Sequence, residues 1–418
     1  MGLGNVRVDA PAGGALEGIR VLDLSRIVAG PYAGQILGDL GADVIKIERP
    51  GSGDEARWFG VNALSGKDGA RSSDNAFHLG ANRNKRSLTL DISRREGQEV
   101  LLKLVEQADV LIENFKAGTM NRFGLDYEAV RERNPRLIYC SLTGYGQDGP
   151  YAPRAGLDGV FQAQSGLMNV TGPAEDEPNS QPYKTGPTIV DVTSGMYAAI
   201  GILAALHHRN ATGEGQYLDL SLLDCAIALA SHSAMEYLIS GKTLPRIGNQ
   251  ANGGAPASSF RCKDYWIYLS PSSEVQVRKM LRILGLEHLL ELPEFATSQL
   301  RFRNRARLNP LIEDACANWS ADELSEKLNN AGVPAGVVNN YERTFADPQV
   351  LHRGVQIKMP HPVAGEVSMI ANPLRLSKTP PSYRCLPPGL GEHNDEVLHD
   401  IAGFRMGEIA ELREKGII

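Results

Sequence analysis

A chain of 418 residues, 42 % hydrophobic and 22 % charged, has the composition of a globular protein long enough for two or three domains. Its net charge of −6 leaves no broad basic face for nucleic acid or an anionic membrane, so any positive charge that matters is local. Five scattered cysteines without C-x-x-C spacing and nine histidines without H-E-x-x-H predict reduced thiols and no metal site.

The N-terminus, MGLGNVRVDAPAGGALEG, lacks a basic stretch followed by an apolar core, which predicts a cytoplasmic protein. From residue 18 the pattern is strand, helix, strand: IRVLDLS, AGPYAGQILGDLGA, DVIKIERP. Continuous apolar strands around a Gly-containing helix predict a βαβ unit on a parallel sheet covered on both faces. Glu48 ends the second strand where dinucleotide-binding folds keep a ribose-binding acid. The first turn, SRIVAGPYAG, lacks G-x-G-x-x-G and carries Pro31 where a phosphate-cradling glycine would stand, so no nicotinamide cofactor is expected. Arg49 follows at the strand end, suited either to a phosphate or to a surface ion pair.

NRNKRSLTLDI carries Arg83, Lys85 and Arg86 into a third strand, and REGQEVLLKLVEQA is an amphipathic helix. DVLIENF is a buried strand ending at Asn114 and Phe115, with Lys116 and Arg122 beyond it. NPRLIYCSLTGYGQDGP gives a strand that ends in a Gly-rich turn, Thr143, Gly144, Tyr145 and Gly146. Successive strand ends thus deliver Arg49, Lys85 with Arg86, Asn114 with Arg122, and a flexible turn to one sheet edge, which suggests an elongated, phosphorylated ligand. Asp158, in RAGLDGVFQAQSG, is either a second functional carboxylate or a helix cap.

The organising stretch is GPTIVDVTSGMYAAIGILAAL, residues 186–206. Thr188, Ile189 and Val190 form a short β-favouring run, and Asp191 precedes a segment in which Met196, Ile200 and Leu203 recur at helical spacing. That spacing places Asp191 as an N-cap, where the helix dipole favours an ionised carboxylate. Two readings are open, a cap and a nucleophile. The longest apolar run, residues 196–206, is too short for a membrane span. Beyond a Gly/Pro/Ser/Asn-rich loop near 239–259, CKDYWIYLS, EVQVRKMLRILG, PLIEDACANW, ADELSEKLNNAG and GVPAGVVNN predict a small α/β domain, and an extended, Pro-rich arm follows from Phe345.

Together, GIRVLDLSRIVAGPYAGQILGDLGADVIKIERPGSGD, NRNKRSLTLD, ADVLIENF, TGPTIVDVTSGMYAAIGILAALHHRNATGEGQ and LGEHNDEVL resemble the class III coenzyme A transferases, from about Leu16 to the C-terminus. The resemblance implies a large Rossmann-like domain with a parallel sheet plus a smaller α/β domain, in an interlocked homodimer. The corresponding spans are 16–224 for the first part of the large CoA-binding domain, 225–340 for a linker and the small domain, and 341–418 for an arm completing the large domain. It implies no permanently bound cofactor, CoA thioesters and carboxylic acids as substrates, and an aspartyl anhydride and aspartyl-CoA thioester formed on Asp191. Gly253 and Gly254, after Asn252, fall on the family's glycine loop, which serves the reacting carbonyl.

Carried over residue by residue, the CoA-contacting positions are Val28, Ala29, Arg49, Leu90, Asp91, Ile92, Ser93, Asn114, Phe115, Lys116, Arg122, Thr143, Gly144, Tyr145 and Gly146. Val28 and Thr143 stand where formyl-CoA transferases have glutamine and lysine, so formyl transfer is not expected. The racemases of the same fold carry a histidine in a G-H-D segment that here reads Gly156-Leu157-Asp158, which favours a transferase over a racemase; a non-catalytic acyl-CoA binder is the other alternative. Within the family, SLTGYGQDGP and SGLMNVTGP resemble succinyl-CoA-dependent transferases of dicarboxylates such as glutarate, for which Arg57 and Arg154 are candidate clamps.

Overall fold

The structure, a computed structural model, describes residues 13–60, 63–65, 71–251 and 256–418. The chain divides into two compact units, Met1–Leu167 with Thr185–Met235 and Gln349–Ile418, and Met168–Lys184 with Glu236–Pro348.

In the first unit six strands form one sheet: β1 (Arg20–Asp23), β2 (Asp43–Glu48), β3 (Lys85–Thr89), β4 (Val110–Glu113), β5 (Ile138–Thr143) and β6 (Tyr217–Ser221). Every pairing is parallel and the order is β3-β2-β1-β4-β5-β6, the doubly wound arrangement of nucleotide-binding folds. Side-chain alternation gives the sheet two cores. Leu22, Ile45, Leu88, Leu111 and Tyr139 pack under α2 (Arg95–Val105), while Val21, Val44, Val110, Ile138 and Cys140 pack under α1 (Ala29–Asp39) and a long helix, α4 (Ile189–Thr212). Between β5 and α4 lies α3 (Asp158–Gln164), and α5 (Leu222–Ser240), kinked at Ser231, follows β6 directly.

Residues 188–190 are not a strand. Ile189 and Val190 are the first two residues of α4, and Asp191 is its third residue rather than its N-cap. The apolar run expected to be too short for a membrane lies in this 24-residue helix, and both α4 and α5 are long and apolar enough to cross one. In α4 that character serves the sheet: Ala198, Ile202 and Ala205 are buried against it.

The smaller unit holds a three-stranded antiparallel sheet, β7 (Ser258–Arg261), β8 (Trp266–Leu269) and β9 (Ala335–Val337), with β8 central. Phe260, Ile267 and Leu269 form its core with Met280, Leu308 and Leu324 from the accompanying helices. This unit also takes in Met168–Lys184, anchored by the Arg246 guanidinium, which donates to the Asn169 carbonyl (3.1 Å) and to Ser180 Oγ (3.3 Å). In the first unit, the C-terminal residues Val397, Leu398, Ile409 and Ile417 join the α2-side core, and Asp91 N–H donates to the Ile417 carbonyl at 2.8 Å.

Candidate active site

Parallel order puts the segments after β1, β2, β3, β4 and β5 at the same, carboxyl edge of the sheet, and the crevice between β1 and β4 is where connections diverge to opposite faces. Val28 and Ala29, both buried, start α1 there. Ile27 precedes them with a left-handed φ of 69°, a conformation costly for a β-branched residue. It is held by the Asp54 carboxylate, which accepts from Ile27 N–H at 3.0 and 3.2 Å. Asn114, just after β4, clamps the same turn: its Oδ1 accepts from Arg26 N–H and its Nδ2 donates to the Arg26 carbonyl, both at 2.8 Å. The Arg26 guanidinium lies 5.1 Å from the centre of the Phe115 ring.

Around this crevice, Arg49 is exposed and has no side-chain partner among the described residues. Leu90 is buried, its N–H donating to the Glu48 carbonyl (2.7 Å); Asp91 Oδ1 accepts from Ser93 N–H and Oγ, leaving Ile92 half-buried and Ser93 exposed. Lys116 is exposed at a cavity of about 280 Å³ that it shares with Glu113, Asn121, Tyr127 and Tyr139. Burial pushes the Glu113 carboxyl up to about 7. Arg122 is exposed and bonds only to Thr119 Oγ1 among the described residues (3.3 Å). Thr143 Oγ1 accepts from Gly146 N–H (2.9 Å), closing the turn after β5, and Tyr145 donates to Gln164 Oε1 (2.9 Å). Gly144 is required there, since a Cβ would stand 2.7 Å from the Phe161 ring.

Asp191 joins this edge through helix packing. At Gly195, one turn along α4, a Cβ would lie 2.5 Å from the Ala29 carbonyl oxygen, so α1 and α4 cross at backbone contact. Asp191 and Gly195 share a helix face, which brings Asp191 over the start of α1. From the other side, α3 supplies both Phe161, against Gly144 and Tyr145, and Asp158. The buried Asp158 does cap a helix, but α4 rather than its own: Oδ2 accepts from Val190 N–H (2.8 Å) and Asp191 N–H (3.2 Å). Thr188, the N-cap residue by position, makes no side-chain cap bond. Far from being held ionised by the helix end, the half-buried Asp191 carboxyl is pushed up to about 7, first by burial and then by the Asp158 charge. Gly253 and Gly254 lie outside the described residues.

The basic cluster of β3 does not reach the edge. Lys85 is fully buried, with Nζ bonded to Asp23 Oδ2 (2.7 Å), the Pro31 carbonyl and Asn82, and Arg86 pairs with Asp43 and Glu396. Arg57 is no free clamp either, because it grips Glu48 with two bonds of 2.7 Å and donates to the Pro388 carbonyl. Arg154 stays exposed, its guanidinium 3.5 Å from the Tyr151 ring centre. Asp23 lies 62 residues from Lys85, and Asp43 and Glu396 lie 43 and 310 residues from Arg86, beyond the reach of local patterning, whereas Glu48 is only nine residues from Arg57. Asp54, the last residue of the GSGD segment and given no role there, shows the converse, a turn residue that fixes another loop.

The fold is that of a doubly wound α/β enzyme, with loops and a helix-start acid gathered at the carboxyl edge of its sheet. The sequence profile of CoA-transferase family III matches residues 16–394, and the chain belongs to that family. A succinate–glutarate CoA-transferase of Agrobacterium fabrum is 39 % identical over 386 residues, covering 92 % of this chain and 95 % of its own. The human succinyl-CoA:glutarate CoA-transferase is 36 % identical over 403 residues, with 96 % and 90 % coverage. Among solved structures, a CaiB/BaiF family protein from Brucella suis superposes with a TM-score of 0.83 at 40 % identity, covering 93 % of this chain and 99 % of that one. The protein is a CoA-transferase acting on CoA thioesters and carboxylates.

Proposed function

We propose that the protein moves CoA from succinyl-CoA to a dicarboxylic acid through covalent intermediates on Asp191. The observation that carries the reading is the Asp191 carboxyl itself, half-buried at the start of α4, one turn from the Ala29 contact and paired with no cation among the described residues. A carboxylate oxygen of Asp191 attacks the donor thioester carbon, the C–S bond breaks, and CoA leaves as thiolate from a mixed anhydride. The thiolate attacks the Asp191 carbonyl carbon, the anhydride C–O bond breaks, and succinate departs from an aspartyl-CoA thioester. An acceptor carboxylate then displaces the thiolate to form a second anhydride. Attack by thiolate on the acceptor's acyl carbon releases the new CoA thioester and restores the Asp191 carboxylate. No step takes up or releases a net proton, so the site needs an ionised acid and N–H donors rather than a general base.

In this reading Gly253 and Gly254 supply N–H donors to the reacting carbonyls. Val28, Ala29, Leu90, Asp91, Ile92, Ser93, Asn114, Phe115, Lys116, Thr143, Gly144, Tyr145 and Gly146 line the CoA, and Arg49 and Arg122 take its phosphates. The relatives named for succinate and glutarate support the choice of donor and acceptor. We further propose a cytoplasmic homodimer. Supporting it, α4 leaves Met196 47 % and Ile200 58 % exposed beside an apolar cavity of about 690 Å³ that Leu203, Met369 and Leu374 also line, an apolar face of the kind a second copy covers.

Asp191→Asn is expected to lower exchange of labelled succinate into succinyl-CoA by ~10³-fold or more. Its melting should remain cooperative, and hydroxylamine added to the turning-over wild type should leave a hydroxamate at position 191. Retained exchange, or a hydroxamate elsewhere, overturns the reading.

A further inference from the structure

We infer that Asp158 is a positioning residue for Asp191: by filling the first-turn N–H groups of α4 with a second carboxylate, it keeps the Asp191 carboxylate basic enough to displace a thiolate. The inference rests on Asp191 being the nucleophile proposed above. A helix start ordinarily offers unpaired N–H groups and a positive dipole end that stabilise a nearby anion and so make it less basic. Here those N–H groups are already taken, since Val190 and Asp191 both donate to Asp158 Oδ2. Gln162 fixes the other oxygen, its Nε2 donating to Asp158 Oδ1 at 2.5 Å. The orientation of that amide is set in turn by Thr185, whose N–H (2.9 Å) and Oγ (3.3 Å) both donate to Gln162 Oε1. Asp158 therefore accepts three N–H bonds and donates none, the bonding pattern of a carboxylate. It is 7 % exposed, so its charge acts through protein rather than through water.

The groups packed around α4 leave Asp158 as the one that acts. Tyr32 and Asp39 come from α1, the latter bound to Arg83, and β5 brings Cys140, whereas Tyr139, Tyr217 and Asp219 lie on the opposite, α2 side of the sheet. From α5 come Asp224 and Cys225, and α4 itself carries Tyr197, His207, His208 and Arg209 further along. Of all these, Asp158 alone bears on the Asp191 carboxyl, adding to burial. The chemical consequence lies in the first step. A thiol leaves with a pKa of about 8.5, whereas an ordinary aspartate, near 3.9, is a weak nucleophile against it. Raising the basicity of the attacking oxygen makes anhydride formation less uphill, while the acid still ionises near neutral pH.

The test is the single-turnover rate at which succinyl-CoA acylates Asp191 between pH 5 and pH 9, read by rapid quench and the mass of the peptide carrying that residue. In Asp158→Asn, which keeps an oxygen for the α4 N–H groups, the midpoint of the acid limb is expected to move down by about one pH unit. The plateau rate is expected to fall ~3–10-fold as the nucleophile becomes less basic. Asp158→Ser, which offers a good neutral cap, should show the same downward shift. A midpoint that stays with the wild type in either variant, or loss of folding in both, assigns Asp158 a structural role alone and overturns the inference. An adduct at a residue other than Asp191 in the wild type would instead overturn the nucleophile reading, so the two failures are distinguishable.

Discussion

Beside β1 and β2, Asp23, Glu48 and Asp54 are buried with Lys85, Arg57 and Lys46, a cation for each acid. At the start of α4, Asp158 and Asp191 lie side by side with no cation paired to either among the described residues. Burial pushes the carboxyls of Asp23, Glu48, Asp54 and Asp191 up, and in the first cluster the cations overcome it. Arg57 and Lys46 hold Glu48 at about 2; Lys46 and the N–H groups of Ala56 and Ile27 hold Asp54 at about 2. Lys46, which burial alone would push down, is kept above its ordinary range by Asp54, Asp23 and Glu48. With like charge as its neighbour, Asp191 goes the other way. The closed cluster is scaffold, holding the Ile27 turn, while the unpaired acid keeps the unfavourable charge that chemistry can use.

The largest effect is expected from opening the closed cluster. Lys46→Met leaves Asp54 and Asp23 without the cation they share, and should cost about 3–5 kcal/mol in urea unfolding. A loss under 1 kcal/mol would mean that the cluster does not hold the turn. Next, Gly195→Ala drives a Cβ to 2.5 Å from the Ala29 carbonyl and should cost about 1–3 kcal/mol. Because it shifts Asp191 relative to Val28 and Ala29, it should also lower turnover ~10²-fold. Turnover that survives while stability falls would separate the helix crossing from the site.

Asp191 should show the opposite sign to Lys46. Its folded carboxyl titrates near 7 against an unfolded value of 3.8, so stability falls as pH rises from about 4 to 7 and stays reduced above. Asp191→Asn should therefore stabilise the protein at pH 8 by about 1–2 kcal/mol, discounted for partial exposure, and hardly at pH 4. Equal melting shifts at both pH values would contradict an unpaired acid. Smallest in stability is Arg49→Ala. Exposed and unpartnered among the described residues, Arg49 should change unfolding by less than about 0.5 kcal/mol. Loss of a charge-assisted phosphate bond should nonetheless raise KM for succinyl-CoA about tenfold, and an unmoved KM would remove Arg49 from the CoA site.

Much of the architecture is local and was legible. The apolar runs at 20–23, 43–48, 110–113 and 138–143 are long enough to be strands, and their period-2 alternation assigns Leu22 and Val21 to opposite cores. The parallel sheet, a small α/β unit and the turn after Thr143 follow from such patterns, whereas the antiparallel order of the smaller sheet does not. Residues 188–190 show where pattern fails. Thr, Ile and Val favour strands in isolation, but the α4 N–H groups find their acceptor on Asp158, more than thirty residues earlier, and the helix starts at Ile189.

The sequence by itself determined which acid to watch, which segments carry the family motifs and which strands form the sheet, because each depends on residues near one another in the chain. Tertiary structure decided which charges are spent and which remain. Lys85 and Arg57 read as ligand-binding cations until Asp23 and Glu48 stand within 2.7 Å of them, and Asp191 reads as an ordinary ionised cap until Asp158 occupies the helix start. Electrostatic character depends on distance through the folded interior, and that distance is set by packing between residues the chain keeps far apart.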